Sequence, residues 1–108
     1  MGEIEVRVPK WMELLVGEER DNLLRTALRF AAKQRARELE KERREALTRV
    51  HRYERKYGVP LAKFERGPLR KLDTAQAHED YNDWFFWTGV LERAEQAAGV
   101  LKKMETVE

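Results

Sequence analysis

Hydrophobic and charged residues alternate at the start of the chain. Ile4, Val6 and Val8 are separated by charged side chains, which is the period of a half-buried strand, and Pro9 ends it. No later segment shows this alternation. A lone strand leaves backbone donors and acceptors unpaired, so we expect it to pair with a second copy. Residues 1–17 are therefore predicted to be a dimerisation arm.

Two helical patterns of different length follow the predicted strand. The segment from Pro9 to Val16 predicts a short helix that stops at Gly17. From about residue 19 to Tyr57 there is no glycine or proline, and apolar residues recur at alternating spacings of four and three, which predicts one long helix with a single apolar seam. We expect Trp11, Leu14 and Leu15 of the short helix to face inward. The long seam comprises Ala32, Ala36, Leu39, Ala46, Val50, Tyr53 and Tyr57, with Arg43 as its one break, and is extended upstream by Leu24, Leu28 and Ala31.

A second long helix is predicted after a connector that spans residues 58–73. It begins near Asp73 or Thr74, where Asp73 and Gln76 have the spacing of a capping box, and runs to about Met104. Its apolar stripe comprises Tyr81, Trp84, Trp87, Leu91, Ala94, Ala98 and Leu101. The fold class is therefore mostly α: a strand and a short helix, then an antiparallel helical hairpin over residues 18–108. The predicted hairpin places aromatic residues against Tyr53 and Tyr57 at the turn, and alanines against alanines at the open end.

Composition narrows the functional classes. Of the 108 residues, 39% are charged and none is a cysteine, which is typical of solvated helices in a reducing compartment, so we expect a cytoplasmic protein. The chain also contains no serine, no glycine-rich loop, no run that could span a membrane and no leader-like apolar segment. Glu79 and Asp83 have chelating spacing, but acids near a helix start are more often dipole partners. We predict no enzyme activity, cofactor or metal.

Charge is distributed unevenly along the chain. Residues 1–32 carry five basic and six acidic side chains, residues 33–72 carry fourteen and six, and residues 73–108 carry three and eight. A basic centre and an acidic end are consistent with two segments that pack together, or with a nucleic-acid surface in the centre. The residues that could contact nucleic acid are Arg7, Lys33, Arg37 and Arg44.

Four consecutive aromatic residues lie at positions 84–87. At 100° per residue they sweep most of the helix circumference, so at least one of Phe85 and Phe86 must face solvent or another chain. Exposed aromatic residues often mark interfaces. We therefore predict a partner-binding surface formed by Phe85, Phe86, Asp80 and Asp83.

Three family resemblances bear on function. The first 30 residues, with their strand followed by Leu23-Leu24-Arg25 and Ala27-Leu28-Arg29, are similar to a ribbon–helix–helix unit, which implies a strand-paired dimer that could bind DNA. Arg44 and His51 have the R-x6-H spacing of HEPN-type RNases. Most of the chain resembles small helical antitoxins of prokaryotic type II toxin–antitoxin pairs, through its V-R-V-P opening, its E-x-K-Y-G and L-x-x-F-E segments, and its His-Glu-Asp-Tyr-Asn-Asp-Trp segment.

The antitoxin resemblance implies a non-catalytic protein that neutralises a partner toxin. Our leading hypothesis is accordingly a homodimeric protein–protein interaction module. One alternative is a DNA-binding transcriptional regulator that uses the strand and the basic long helix. A second alternative is a purely structural coiled-coil homo-oligomer.

Overall fold

The computed structural model describes residues 7–107, with side chains described as far as residue 103. Within this range the chain is mostly helical, as predicted. The elements, in chain order, are a short 3-10 helix at Lys10–Leu14, α1 at Gly17–Tyr57, α2 at Leu61–Arg66, α3 at Pro68–Leu72 and α4 at Ala75–Val107. The chain divides into two compact units, Met1–Gln34 and Arg35–Glu108.

The first unit contains no strand among its described residues. Ile4 and Val6 of the predicted dimerisation strand lie outside the described residues, and Val8 is exposed and belongs to no strand. The short helix that follows is a 3-10 helix, which has three residues per turn. This tighter period buries Met12 and half-buries Leu15, whereas the predicted inward residues Trp11 and Leu14 are exposed.

The second unit is a helical hairpin whose two long arms come from α1 and α4. Its core cluster is built on Val50, Phe64 and Trp84, one residue from each of α1, α2 and α4. Tyr53 and Tyr57 pack against this cluster, as the antiparallel arrangement predicted. The seam from Ala32 to Tyr57 is confirmed, since Leu39, Ala46 and Val50 are buried and its other apolar residues are half-buried. Its predicted upstream extension is wrong at Leu28 and Ala31, which are exposed.

The open end of the hairpin departs from the predicted alanine pairing. Ala97 of α4 lines the same groove as Arg35 and Leu39 of α1. The prediction placed Ala94, Ala97 and Ala98 against Ala27, Ala31 and Ala32; of the last three, Ala27 and Ala31 are exposed and Ala32 is half-buried. A small side chain therefore lies beside a large one here, because the register is set at the turn, where the aromatic residues fill the core.

Local residue chemistry explains the turn of the hairpin. Gly58 ends α1 with φ +71°, a left-handed conformation that glycine adopts without strain, and its amide donates to the Glu54 carbonyl at 2.8 Å. The connector forms α2 and α3 rather than an irregular loop, because Phe64 is fully buried and anchors it. Thr74, not Asp73, caps α4: its hydroxyl accepts a hydrogen bond from the Ala77 amide at 3.1 Å.

Candidate partner-binding surface

The middle of α4 has a buried side that fixes its position. Trp84 is fully buried, and its ring stacks on Tyr53 at 5.8 Å and on Tyr57 at 5.9 Å between centroids. Phe64 of α2 packs at 5.2 Å from the same ring. Arg49 lies over the Trp87 ring at 4.9 Å, which adds a cation–π contact to this packing. Contacts from α1 and α2 thus fix this part of α4.

Phe85 and Phe86 lie on the outer side of α4. They are 58% and 55% exposed, which confirms that this aromatic run cannot be covered by the hairpin alone. Each ring nevertheless rests on a neighbour of the core: Phe85 lies 6.0 Å from the Tyr81 ring, and Phe86 meets Trp87 edge-on at 5.2 Å. The two rings are therefore exposed to solvent but held in place by these contacts.

A groove of about 480 Å³ lies beside Phe85, between α2 and α4. Leu61 supplies apolar lining from α2, and the Thr88 hydroxyl is buried without a hydrogen-bond partner among the described residues. Glu65 and Glu92 place two carboxylates in the lining, and Arg93 places one guanidinium there. The groove thus combines an apolar floor with a mainly acidic rim. The complete lining is Leu61, Ala62, Glu65, Phe85, Thr88, Gly89, Glu92 and Arg93.

Asp80 occupies a different place from the one that the sequence predicted. It is only 6% exposed and accepts three hydrogen bonds, from Lys56 at 2.6 Å, Tyr57 at 2.5 Å and Gln76 at 2.8 Å. Burial alone would raise the pKa of Asp80, but these three hydrogen bonds and the Lys56 charge together lower it below its ordinary value. Asp80 thus joins α1 to α4 inside the hairpin, and its carboxylate is not presented to a partner.

Asp83 is also engaged within the hairpin. Its carboxylate accepts a hydrogen bond from the Tyr53 hydroxyl at 2.5 Å. Burial, followed by this hydrogen bond, raises the pKa of Tyr53 to about 12, and burial with the Asp80 bond does the same for Tyr57. Of the four residues predicted to bind a partner, the structure therefore presents Phe85 and Phe86 on the surface.

The predicted nucleic-acid residues are exposed, but one of them is paired. Arg7, Lys33 and Arg37 lie at the surface, whereas Arg44 donates to Glu40 at 3.2 Å. Hydrogen bonds from Arg43 and then Arg44 lower the pKa of Glu40 to about 2.

Arg44 and His51, the pair with R-x6-H spacing, contact different carboxylates. Arg44 contacts Glu40, while His51 lies 3.7 Å from Glu54. No group of three or more histidine, aspartate or glutamate side chains able to hold a metal ion occurs in the part of the chain that the structure describes. No helix in the described range is long and apolar enough to cross a membrane.

Comparisons with known proteins give no similar chain. No protein-family model matches, and neither curated proteins nor solved structures provide a match.

Sequence reasoning missed the contribution of α2 to this surface. The sequence favours a connector here with one helical turn around Leu61 and Phe64, but it does not identify Leu61 and Glu65 as lining residues. Their spacing of four, together with Phe64, was the available signal of a helical turn with one side against the core.

Proposed function

We propose that the protein is a non-catalytic protein–protein interaction module of the antitoxin kind, which binds and neutralises a toxin in the cytoplasm. The surface assigned to this interaction, called here the Phe85 surface, consists of Phe85, Phe86 and the groove between α2 and α4. The resemblance to small helical antitoxins supports this proposal. The observation that carries it is the pair of exposed phenylalanines on a rigid aromatic core.

The packing beneath the two rings favours binding by preorganisation. Burying a phenylalanine side chain on a partner is worth roughly 1.5–3 kcal/mol, and less of this is lost when the side chain is already ordered. Phe85 and Phe86 contact Tyr81 and Trp87, which themselves pack against the core cluster. Aromatic residues held in this way are typical of interface hot spots.

The charge around the Phe85 surface favours a basic partner. Glu65 and Glu92 line the groove, and Glu79 is exposed one heptad before Phe86 on α4. A toxin that acts on nucleic acid must hold phosphates and is therefore typically basic, which suits an acidic rim around apolar anchors.

Co-expression with the product of the adjacent gene tests this proposal. The tagged protein should retain that product through purification in moderate salt, because aromatic burial is less sensitive to salt than phosphate contacts are. The double change Phe85→Ala with Phe86→Ala should abolish retention while circular dichroism stays unchanged. Val100→Ala is the control, since Val100 is an exposed apolar residue elsewhere on α4. Retention by the double variant would contradict the proposal.

We also propose that the protein is a homodimer that pairs through the N-terminal half of α1. Leu23 and Phe30 lie on one face of this helix with Ala27, and all three are exposed. Acidic residues are concentrated at its start, at positions 18–21, and basic residues follow at positions 25–33. Two copies in antiparallel orientation would place each acidic end against a basic one, which favours a second copy as the occupant.

Sedimentation equilibrium tests the dimer separately from the partner. We expect a dimer at micromolar concentration, and a monomer for the double change Leu23→Glu with Phe30→Glu. The Phe85→Ala, Phe86→Ala variant should stay dimeric. A monomeric wild-type protein would refute the dimer proposal, and a dimer that retains no partner would favour the purely structural alternative.

A further inference from the structure

Basic side chains are concentrated around the turn of the hairpin. Residues 52–71 contain seven lysines and arginines and only two acidic residues. Every one of the seven is exposed. We call this set the turn patch; its members are Arg52, Arg55, Lys56, Lys63, Arg66, Arg70 and Lys71.

The turn patch is carried by three elements that share one core. Tyr53 and Tyr57 fix the end of α1, Phe64 fixes α2, and Leu69 fixes α3, all against the same core cluster. Each of these residues has an exposed basic residue directly beside it in the sequence. The positive charges are therefore displayed on the outside of a well-packed cluster rather than on independent loops.

Pairing distinguishes the turn patch from the basic middle of α1. There, four arginines form ion pairs with glutamates of the same helix, within 3.7 Å. These four residues are Arg35, Arg43, Arg44 and Arg49. In the turn patch only Lys56 has such a partner, Asp80; the other six basic residues contact no carboxylate of residues 7–107. Lys33, Arg37 and Lys41 of α1 are likewise exposed without an ion pair among the described residues, but they lie along one helix, whereas the six unpaired cations of the turn patch lie on three elements that share a core.

Stabilisation of helix ends accounts for only part of this charge. Basic residues occupy the last turns of α1, α2 and α3, where they complement the negative end of the helix dipole. A helix end carries roughly half of one elementary charge, and α2 and α3 are short, so three ends require fewer cations than the seven present. Arg52 lies before the last turn of α1 and serves no helix end.

The chemistry of the turn patch fits a polyanion. Four of its seven residues are arginines, whose planar guanidinium groups bind phosphate oxygens in bidentate fashion. Leu72, beside Lys71, is the one large hydrophobic side chain of residues 52–72 that is exposed, at 48%, and Leu61 is half-buried in the groove of the Phe85 surface, so charge dominates the turn patch. We infer that the turn patch binds the phosphodiester backbone of nucleic acid, independently of the Phe85 surface and of its partner.

Fluorescence anisotropy with a short mixed-sequence duplex, as DNA and as RNA, tests this inference. Affinity should fall steeply between about 50 and 200 mM salt, because each phosphate contact releases about 0.9 of a counterion. Arg66→Gln with Arg70→Gln should lower the salt slope by about 1.8 and weaken binding at low salt for every sequence. Both side chains are exposed and form no hydrogen bond or ion pair with the described residues, so circular dichroism should be unchanged.

The matched control removes two paired arginines from the middle of α1. Arg35→Gln with Arg44→Gln subtracts the same charge and should leave the salt slope unchanged, because both guanidinium groups already contact glutamates. Binding to either duplex with this difference between the variants supports the inference. Three results would overturn it: binding to neither duplex at low salt, an equal loss of affinity in the two variants, or binding to poly-glutamate that is as tight as binding to the duplexes. None of these outcomes depends on capture of a protein partner.

Discussion

Replacement of Asp80 by asparagine tests how the two arms of the hairpin are joined. In the wild-type protein one carboxylate oxygen, Oδ2, accepts hydrogen bonds from both Lys56 and Tyr57. Asparagine has nearly the same shape but no charge, so without opening a cavity the Tyr57 bond becomes neutral and the Lys56 bond loses its anionic acceptor. Gln76, which donates to Oδ1, can turn its amide to suit the new side chain.

The expected cost follows from these bonds. A hydrogen bond to a charged group contributes roughly 1.5–3 kcal/mol and a neutral one roughly 0.5–1.5, so conversion of two bonds costs about 2 kcal/mol. Lys56 is half-exposed and can turn to water, which keeps the cost from reaching that of a fully buried pair. For a domain of this size, the melting temperature should fall by roughly 8–16 °C.

The pH dependence identifies the carboxylate as the cause. Because the pKa of Asp80 is lowered in the folded state, its contribution is present above the ordinary aspartate pKa of about 3.9 and is lost as the pH falls through the folded value. The melting difference between wild type and Asp80→Asn should therefore be full at neutral pH and shrink in acid. Asp21→Asn is the control, because Asp21 is exposed and its carboxylate forms no hydrogen bond or ion pair with the described residues. Equal melting of Asp80→Asn and wild type at neutral pH would refute this reasoning.

Three further predictions concern the ends of the helices and the buried hydroxyls. Thr74→Ala should cost about 1 kcal/mol in urea unfolding by removing the α4 cap, and Thr74→Ser should restore it. Gly58→Ala should destabilise by about 1 kcal/mol because φ is +71°, whereas Gly99→Ala, inside α4 with open space around it, should stabilise by up to about 1 kcal/mol; opposite signs in thermal melts check this pair. Tyr53 and Tyr57 have pKa values of about 12 in the folded state and about 10 in the unfolded state, so the folded state binds more protons between these values. The free energy of unfolding should therefore fall from about pH 10 to 12, by roughly 1–2 kcal/mol for each tyrosine. A urea midpoint that stays constant across this range would contradict the prediction.

The long helices were predictable because their signal repeats many times. The α1 seam runs over several turns, and the predicted helix from about residue 19 to residue 57 is observed as Gly17–Tyr57. The predicted aromatic contacts at the turn followed from the same period. A register error at the open end left these predictions intact, since alanine side chains constrain packing far less than Trp84 does.

The N-terminal segment shows the opposite case. Three alternating residues, Ile4, Val6 and Val8, suggest a strand; Ile4 and Val6 lie outside the described residues, and Val8 forms none. The 3-10 helix at Lys10–Leu14 changed which side chains turn inward, because its period differs from that of an α-helix.

At the candidate site, exposure of Phe85 and Phe86 was predictable from angular geometry alone. The burial of Asp80 was also predictable from spacing. Ala94, Trp87 and Asp80 are seven residues apart, which places Asp80 on the inward face of α4 although it is charged. A charged residue at such a position requires a partner from another element. Lys56 and Tyr57 could be identified as that partner only from the fold, because the connector length does not fix the register.

The central claim, that Phe85 and Phe86 anchor a protein partner, is tested most directly by isothermal titration calorimetry with the purified product of the adjacent gene. Loss of two hot-spot side chains costs about 2 kcal/mol or more each, so the Phe85→Ala, Phe86→Ala variant should bind roughly a thousandfold more weakly than wild type. Val100→Ala should bind like wild type. An unchanged dissociation constant for the double variant, with its melting temperature also unchanged, would contradict the claim.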